Sequence, residues 1–430
     1  MQLHKRQTIE QVRLVLDWYN QGLMSREEAL AKLGLKRRRF YVLLKAYRAG
    51  TMQSLTPPKK TNTHRKIAAT IETVIRAELK AEQQLINNPD MPVRFYNYAA
   101  IRDNVVEKTG TTISAQTVRN RAKAWDFYLP KTESKTKHVR VVLTTATGLL
   151  LQHDASHHLW SPLADKKWCL ITTLDDYSRM LVYANFWEEE TTWAHLMALK
   201  QVVTTYGVGS NYYTDNHAIF RFIERQDSRF STKKIKASDV KTQWERAVKE
   251  CGMDIIYAMS PEAKGKIERP YRWMQDRVVR ACAKQGVSTI DEGRKILQAE
   301  VSRYNTKQVH STTGEIPLLR FQRAEREGDT VFRKLAIPKP FTSDKDVFCL
   351  KEERKVNGYN QIAWRNHYFK VPNYIPEGAT VQLHIIADNS HPELRIWHKD
   401  ILVTSVSLAP HRDSIQALHN TRKANTKSTK

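Results

Sequence analysis

Three carboxylates far apart in the chain, Asp154, Asp215 and Glu268, have the residue types and settings for metal chemistry. Asp154 follows the apolar run 149–151, Asp215 follows the strand-like letters NYYT, and Glu268 lies early in a helix-like segment. Hard divalent ions such as Mg²⁺ prefer carboxylate oxygens, and a pair of them can activate a water and neutralise a phosphate. Each acid alone could equally be a turn or cap residue. Their order, at the ends of elements that one sheet would bring together, favours a shared metal site.

Other polar residues compete for these roles or could support them. Asp175 and Asp176 precede the letters YSR and are the named alternatives to the triad, whereas Glu262 lies in a loop where its position would be poorly fixed. Asn216 and His217 directly follow Asp215, so they could orient a metal-bound water or a phosphate, or be ordinary loop residues.

The residues around Glu268 include candidates for contacts with a phosphate backbone. A helix places residues four and seven positions apart on one face, so some of them could lie beside the metal site. A solvated basic helix end explains them equally well. The candidates are Lys264, Lys266, Arg269, Arg272 and Gln275.

Three histidines, His153, His157 and His158, resemble a metal cluster on paper. Their spacing lacks the cysteine or carboxylate partners of a zinc site, so the sequence predicts no zinc here. The four cysteines of the chain are scattered without paired spacing, which predicts no disulfide framework and fits a reducing cytoplasm.

The net charge of +25 arises from 70 Lys and Arg against 45 Asp and Glu, and it is unevenly distributed. Residues 1–140 carry 15 of the surplus charges, residues 141–320 carry 4, and residues 321–430 carry 6. Such a surplus favours a polyanion, because phosphate contacts release condensed counterions, with a membrane surface as the alternative. The first residues lack a signal-peptide pattern and no run is long enough to span a membrane. We therefore expect a soluble, intracellular protein.

Residues 1–54 predict a helix-turn-helix DNA-binding domain. An amphipathic helix, a second helix opened by a capping box at Ser25 and Glu28, and a basic helix after Gly34 follow one another. A plain three-helix bundle with a solvated basic face also fits this pattern. The candidates for DNA contact are the arginines at the start of the third helix, Arg37, Arg38 and Arg39.

Residues 65–130 predict a second helix-turn-helix-like domain, between a Pro-rich linker at 55–64 and a basic connector at 131–144. Ser114 is expected to cap its last helix, in the phrase TTISAQTVRNRAKAW. The basic residues of that helix are further DNA-binding candidates: Arg119, Arg121 and Lys123.

The middle of the chain, residues 145–325, changes to strand-like runs and then alternates helices with strands. This β-β-β-α-β-α-β-α order predicts a ribonuclease-H-like (RNase H-like) α/β catalytic core. Short strands separated by turn residues predict a small β-barrel over 340–410, and the polar, basic end predicts a disordered tail over 411–430. The predicted fold class is therefore multidomain α+β.

Aromatic residues of the predicted barrel alternate with basic ones. Trp364, Tyr368 and Trp397 could form a surface that follows a nucleic-acid backbone, or they could be barrel core. The basic neighbours are Arg365, Lys370, Arg395 and Lys399.

Residues 145–325 resemble the integrase catalytic core of bacterial insertion-sequence transposases, part of the DDE superfamily that includes retroviral integrases. The phrases that carry the resemblance are QHDASHHLW, LDDYSRMLVYANFWEEETT, YTDNHAIF and, most specifically, SPEAKGKIERPYRWMQDRV. Similar transposases of the ISNCY group carry the same succession with flanking helix-turn-helix domains. In this resemblance Asp154, Asp215 and Glu268 match the catalytic Asp, Asp and Glu.

The resemblance implies a transposase with two Mg²⁺ (or Mn²⁺) ions per active site. It would bind double-stranded DNA, both the terminal inverted repeats of a mobile element and the target, as a homo-oligomer in a synaptic complex. It would work in the bacterial cytoplasm in association with the nucleoid, with no membrane partner. The alternatives are a non-catalytic DNA-binding regulator derived from a transposase, and another RNase H-like nuclease.

Overall fold

The chain is a mixed α+β protein that divides into two compact units, Met1–Thr73 and Val74–Lys430. A computed structural model describes residues 9–51, 67–129, 144–215, 217, 219–220, 242–258 and 265–419, of which Ile9 and 265–269 are described by their backbone alone. The predicted linker at 55–64 lies outside the described residues, as does nearly all of the predicted connector at 131–144.

Within the described residues 9–51 of the first unit, three helices pack together: α1 (Ile9–Asn20), α2 (Arg26–Leu33) and α3 (Arg37–Arg48). The predicted capping box of α2 is confirmed, since the Ser25 hydroxyl accepts the Glu28 N–H and the Glu28 carboxylate accepts the Ser25 N–H. Gly34 ends α2 at a φ of 61°, a conformation that glycine adopts without strain. Leu16 and Phe40 lie in the buried core of the three helices. The assignment of this unit as a helix-turn-helix domain stays a prediction.

Three further helices follow: α4 (Ala69–Asn87), α5 (Tyr98–Thr109) and α6 (Ala115–Ala124). The side chain of Asn97 caps α5 by accepting the N–H groups of Ala99 and Ala100. Ser114 caps α6 as predicted, by accepting the N–H of Thr117. These side chains satisfy backbone donors that the first turn of a helix leaves unpaired.

The centre of the second unit is a five-stranded sheet with helices on both faces. Its strands are β1 (Leu150–His158), β2 (Trp168–Asp175), β3 (Leu181–Trp187), β4 (Asn211–Thr214) and β5 (Asp254–Tyr257). Its helices are α7 (Thr192–Thr205), α8 (Gln243–Glu250), α9 (Gly265–Gln285) and α10 (Ile290–Lys307). The strands lie in the order β3-β2-β1-β4-β5; the β1–β2 and β2–β3 pairs are antiparallel, and β1–β4 and β4–β5 are parallel. The predicted β-β-β-α-β-α-β-α order is confirmed.

Alternate residues of the strands pack against different helices, because successive side chains of a strand point to opposite faces. Ile171 of β2 belongs to the buried cluster that includes α7 and α8. Its neighbour Leu170 belongs to the second cluster, with Met274 of α9 and Leu297 of α10. The sheet therefore separates an α7–α8 face from an α9–α10 face.

Polar side chains of α10 bind the backbone of the outer strand β3. Arg294 and Gln298 donate to the carbonyl groups of Phe186 and Ala184. Asn305 both donates to the carbonyl of Leu181 and accepts its N–H, each at 3.0 Å. Three carbonyl groups and one N–H group of β3 are thus bound by a helix of the same chain.

Helices α4 and α5 attach to α9 through buried ion pairs. Arg280 of α9 pairs with Glu82 of α4, and Lys284 lies 3.1 Å from Glu78. Arg277 lies 2.7 Å from Asp103 of α5. The second helical region is therefore bound to the same helix that carries the predicted catalytic glutamate.

The C-terminal region contains α11 (Pro317–Glu327), β6 (Leu350–Lys355), β7 (Gln361–Trp364), β8 (His367–Lys370), β9 (Thr380–Ile386), β10 (Glu393–His398), β11 (Ile401–Ser407) and α12 (Arg412–His419). The described strands form a four-stranded antiparallel sheet, β11-β10-β9-β6, and a separate β7–β8 pair. The predicted small β-barrel is not confirmed, because β6 and β11 are the outer strands of this sheet and the described strands form no closed barrel. Buried residues of β9 and β10, such as Leu383 and Leu394, belong to the same cluster as α7, so this sheet buries its apolar face against the central domain.

The structure also tests two other predictions for the C-terminal region: the role of its aromatic residues and the disorder of its tail. Trp364 and Trp397 are buried, so they are core residues, whereas Tyr368 is 67% exposed. The predicted disordered tail is wrong for the eight residues of α12, because Ile415 and Leu418, one turn apart, are buried. Residues 420–430 lie outside the described residues.

No helix in the described ranges is both long and apolar enough to cross a membrane.

Candidate active site

Asp154 lies in β1, and Asp215 directly follows the neighbouring parallel strand β4. The register pairs Leu151 with Tyr212 and Gln152 with Tyr213; two positions further on, Asp154 is level with Asp215, which directly follows β4. Residues at one level of adjacent strands point to the same face. The prediction that Asp154 ends its strand is wrong: β1 continues to His158, because β2 offers ladder partners along its whole length.

Helix α9 covers the sheet at the level of Asp154. Thr172, the cross-strand partner of Asp154, donates a hydrogen bond of 2.9 Å to the hydroxyl of Tyr271 on α9. Burial raises the pKa of Tyr271 well above its ordinary value, and the negative charge of Asp154 acts in the same direction. Asp154 therefore lies on the face of the sheet that α9 covers.

Glu268 belongs to α9 and precedes Tyr271 by three residues, which is about one helical turn. The side chains of Glu268, Lys266 and Arg269 lie outside the described residues, as do Lys264, Glu262 and Asn216 altogether. Farther along α9, Arg272 is exposed and Gln275 is partly buried. The roles assigned to these residues stay predictions.

Asp175 and Asp176 are bound by neighbouring parts of the chain. The Asp175 carboxylate accepts the N–H of Gly148 at 2.9 Å and the N–H of Ser178 at 2.8 Å. Asp176 accepts a hydrogen bond of 2.8 Å from the buried Arg179. Burial raises the pKa of Asp175. These contacts fix the β2–β3 turn and the entrance to β1, in keeping with a supporting role rather than a metal-binding one.

A chain of buried polar residues lies on the α7–α8 face. His153 Nδ1 is 2.9 Å from the Thr173 hydroxyl, and His153 Nε2 is 2.8 Å from His195 Nδ1. His195 Nε2 lies 3.3 Å from a carboxylate oxygen of Glu190. Burial lowers the pKa of His195, which favours its neutral form. Sequence reasoning missed His195 and Glu190, because only the fold brings α7 beside His153.

Glu190 connects this chain of residues to the segment after Asp215. Its carboxylate is 2.7 Å from His157 Nε2 and 3.7 Å from Nδ1 of His217. The N–H of His217 in turn donates to Asp215 Oδ1 at 2.9 Å. Burial alone would raise the pKa of Glu190, but the hydrogen bonds from His195 and His157 hold it at about 2.

The histidines that the sequence grouped together have different surroundings. His158 packs its ring against Trp160, with centroids 5.4 Å apart, whereas His157 lies beside Cys169 and Glu190. His157 therefore has a cysteine and a carboxylate neighbour that the spacing of the sequence did not indicate. Strand pairing and the β3–α7 connection supply both, and neither is visible in local spacing.

The candidate DNA-binding residues lie on two helices. Arg37, Arg38 and Arg39 are all exposed in the first turn of α3. On α6, Arg119 donates to the hydroxyl of Tyr128 at 3.1 Å, and Lys123 lies 4.7 Å from the centroid of that ring. Arg121 is partly buried.

Comparison with known proteins identifies sequence relatives, although no protein-family profile matches. The chain is 25% identical over 323 residues to the putative transposase y4bF of Sinorhizobium fredii, covering 72% of this chain and 65% of that protein. It is 25% identical over 242 residues to the transposase for insertion sequence IS1202 of Streptococcus pneumoniae, covering 53% of this chain and 49% of that protein. The chain thus spans about half to two thirds of the length of these relatives.

Solved structures with a weaker likeness include two viral proteins. A chain of the simian T-cell lymphotropic virus intasome in complex with PP2A regulatory subunit B56 gamma has a TM-score of 0.33 and 13% identity, covering 71% of this chain and 95% of that one. The HTLV-2 integrase catalytic core domain in complex with magnesium has a TM-score of 0.30 and 16% identity, covering 42% and 99%. At these TM-scores and identities, no function is inferred from the two viral structures.

Proposed function

Because this chain is a sequence relative of bacterial transposases, we propose that it is itself a transposase that cuts and joins DNA at a site formed by Asp154, Asp215 and Glu268. The observation that carries the proposal is the β1–β4 register, which sets Asp154 level with Asp215 on the face covered by α9. Glu268 lies about one turn before Tyr271 on that helix.

The residues fit two Mg²⁺ or Mn²⁺ ions, because two adjacent aspartates offer the oxygen ligands that hard ions prefer. When bound, such ions lower the pKa of a water and neutralise charge on the attacked phosphate. Asp154 and Asp215 would hold the ions from the sheet, and Glu268 would hold them from α9. The hydrogen bond from His217 N–H to Asp215 orients one carboxylate, and the Thr172–Tyr271 bond fixes α9 over the other.

The DNA substrate is assigned by charge and exposure. A helix N-terminus carries partial positive charge. Three exposed arginines in the first turn of α3 therefore carry an electrostatic penalty in the absence of an anion. A DNA phosphate would remove that penalty. We assign α3 and α6 to the terminal inverted repeats of a mobile element, and the exposed Arg272 on α9 to phosphates near the cut. Two DNA ends would be paired by a homo-oligomer.

The decisive experiment is strand cleavage by the Asp154→Asn variant on DNA that carries the ends flanking the gene. We expect cleavage in Mg²⁺ to fall by at least the roughly 10²–10³-fold that removal of one transition-state stabiliser costs, while binding to the ends is unchanged. Asp165→Asn, at an exposed position between β1 and β2, is the matched control and should cleave normally.

The products separate the alternatives. Joined strand-transfer DNA supports a transposase, whereas hydrolysis of an RNA–DNA hybrid without joining would indicate another nuclease. Binding without cleavage by the parent chain would indicate a regulator. Undiminished cleavage by Asp154→Asn would refute the assignment of the triad.

A further inference from the structure

Three consecutive segments of the chain each contribute one side chain to a small cluster on the α7–α8 side of the sheet. His157 of β1 and Cys169 of β2 are directly paired cross-strand residues. Glu190 lies in the β3–α7 connection, just before the Thr191 cap of α7. One nitrogen, one sulfur and one oxygen atom of these three side chains all lie within 4.8 Å of one another.

We propose that His157, Cys169 and Glu190 form a second metal site, for one divalent ion of the zinc class. Sulfur and imidazole donors select Zn²⁺ or Co²⁺ over Mg²⁺, which prefers oxygen throughout. A thiolate and a carboxylate together balance the charge of a divalent ion. Three protein ligands leave a fourth position for water in a tetrahedral site. A histidine–glutamate ion pair would account for two of these side chains, but the adjacent thiol adds the soft donor that zinc favours.

The three proposed ligands differ in solvent exposure, and the side of the cluster at His157 is open to solvent. The side chain of His157 is 32% exposed and that of Glu190 is 9% exposed, whereas Cys169 is fully buried. An ion can therefore reach the cluster past His157, while the sulfur is protected from solvent and from oxidation.

Two buried histidines, His195 and His153, already orient the Glu190 carboxylate. Glu190 Oε1 is 3.3 Å from His195 Nε2, and His195 is braced by His153 at 2.8 Å. Such outer partners are typical of metal ligands. Glu190 Oε2 faces His157 Nε2 at 2.7 Å, so the ion would enter between these two atoms. His157 would then carry its proton on Nδ1, and Cys169 would release its thiol proton to solvent.

The test measures metal binding to the full-length chain carrying Asp154→Asn, which disables the other proposed site. Co²⁺ should produce a thiolate-to-cobalt absorption band, and equilibrium dialysis should find one bound Zn²⁺ per chain. Cys169→Ser should abolish the band, and His157→Gln should weaken Zn²⁺ binding by more than the roughly 10–100-fold that loss of an outer-shell partner costs. Cys282→Ser and His158→Gln are matched controls, outside the cluster, and should retain both signals.

A missing thiolate band, or a band that survives Cys169→Ser, would overturn the proposal. Because His157 is partly exposed, His157→Gln is expected to fold even if Cys169→Ser does not. Binding of Zn²⁺ should raise the unfolding temperature of the parent chain but not that of His157→Gln. DNA cleavage is not a readout in these experiments, so failure of the zinc site and failure of the transposase assignment remain distinguishable.

Discussion

Removal of Arg280 should destabilise the chain strongly, because it leaves a buried carboxylate without its main partner. The side chains of Arg280 and Glu82 are 3% and 1% exposed. Burial lowers the pKa of Arg280 to about 10, which reflects its desolvation. In Arg280→Met, the nearest remaining cation to Glu82 is Lys284, at 3.5 Å. Breaking a buried pair by removing one partner costs about 3–5 kcal/mol, and we expect a loss in the free energy of unfolding of that size.

The double variant Glu82→Met/Arg280→Met should lose less than the single one, since no charge is left buried at this pair. Its remaining cost comes from the hydrogen bonds of Arg280 to Asp276 and to the Phe95 carbonyl, about 1 kcal/mol each. Urea unfolding of the full-length chain, followed by tryptophan fluorescence, provides the free energies for a double-mutant cycle.

The matched control is an exposed ion pair of the same chain. Lys166 and Glu188 lie 2.7 Å apart, with side chains 58% and 50% exposed. Lys166→Met should therefore cost no more than about 1 kcal/mol. The reasoning fails if Arg280→Met costs no more than this control, or if the double variant costs as much as the two single variants added together.

Two further substitutions test packing and pH dependence. Gly293→Ala should lower the unfolding midpoint, because the new Cβ would overlap the Trp168 ring and overpacking costs about 1–3 kcal/mol, more than the roughly 1 kcal/mol gained in helix propensity. The exposed Ser302→Ala on the same helix is the control and should raise the midpoint slightly. A higher midpoint for Gly293→Ala would contradict the contact with Trp168. Burial lowers the pKa of His384 to about 4, so the unfolded chain takes up a proton below about pH 6.5 that the folded chain does not. Stability should fall by up to about 3 kcal/mol between pH 6.5 and 4, and His384→Gln should flatten this slope in urea titrations; an unchanged slope would show that His384 does not titrate there.

Much of the secondary structure could be predicted from local patterns. The change from strand-like runs to alternating helices and strands gave the correct element order, and Ser25 and Ser114 marked helix starts, because both patterns depend on neighbours a few residues apart. Barrel closure could not be predicted in this way, since the strands of a barrel and of an open sheet have the same alternation. The buried face of α12 was missed for a related reason: two apolar residues in a polar stretch gain burial only through the surface they meet.

The candidate site divides in the same way. The phrases around Asp154 and Asp215 suggested that the two acids belong together, but their common level in the sheet depends on the β1–β4 register. Cys169 and Glu190 could not be associated with His157 from spacing, because one is a cross-strand neighbour and the other follows a third strand. The hydrogen bond between His153 and His195 could not be predicted either, because it joins two residues that are distant in the sequence.

The bonds from α10 to β3 also limit how copies of this chain can associate. An outer strand with unpaired backbone groups invites a strand from another molecule, which leads to sheet extension or aggregation. On β3, Arg294, Gln298 and Asn305 already bind three carbonyl groups, and Asn305 also accepts the N–H of Leu181. A strand from a second copy would therefore have to displace these side chains before it could pair with β3 and continue the central sheet on that side.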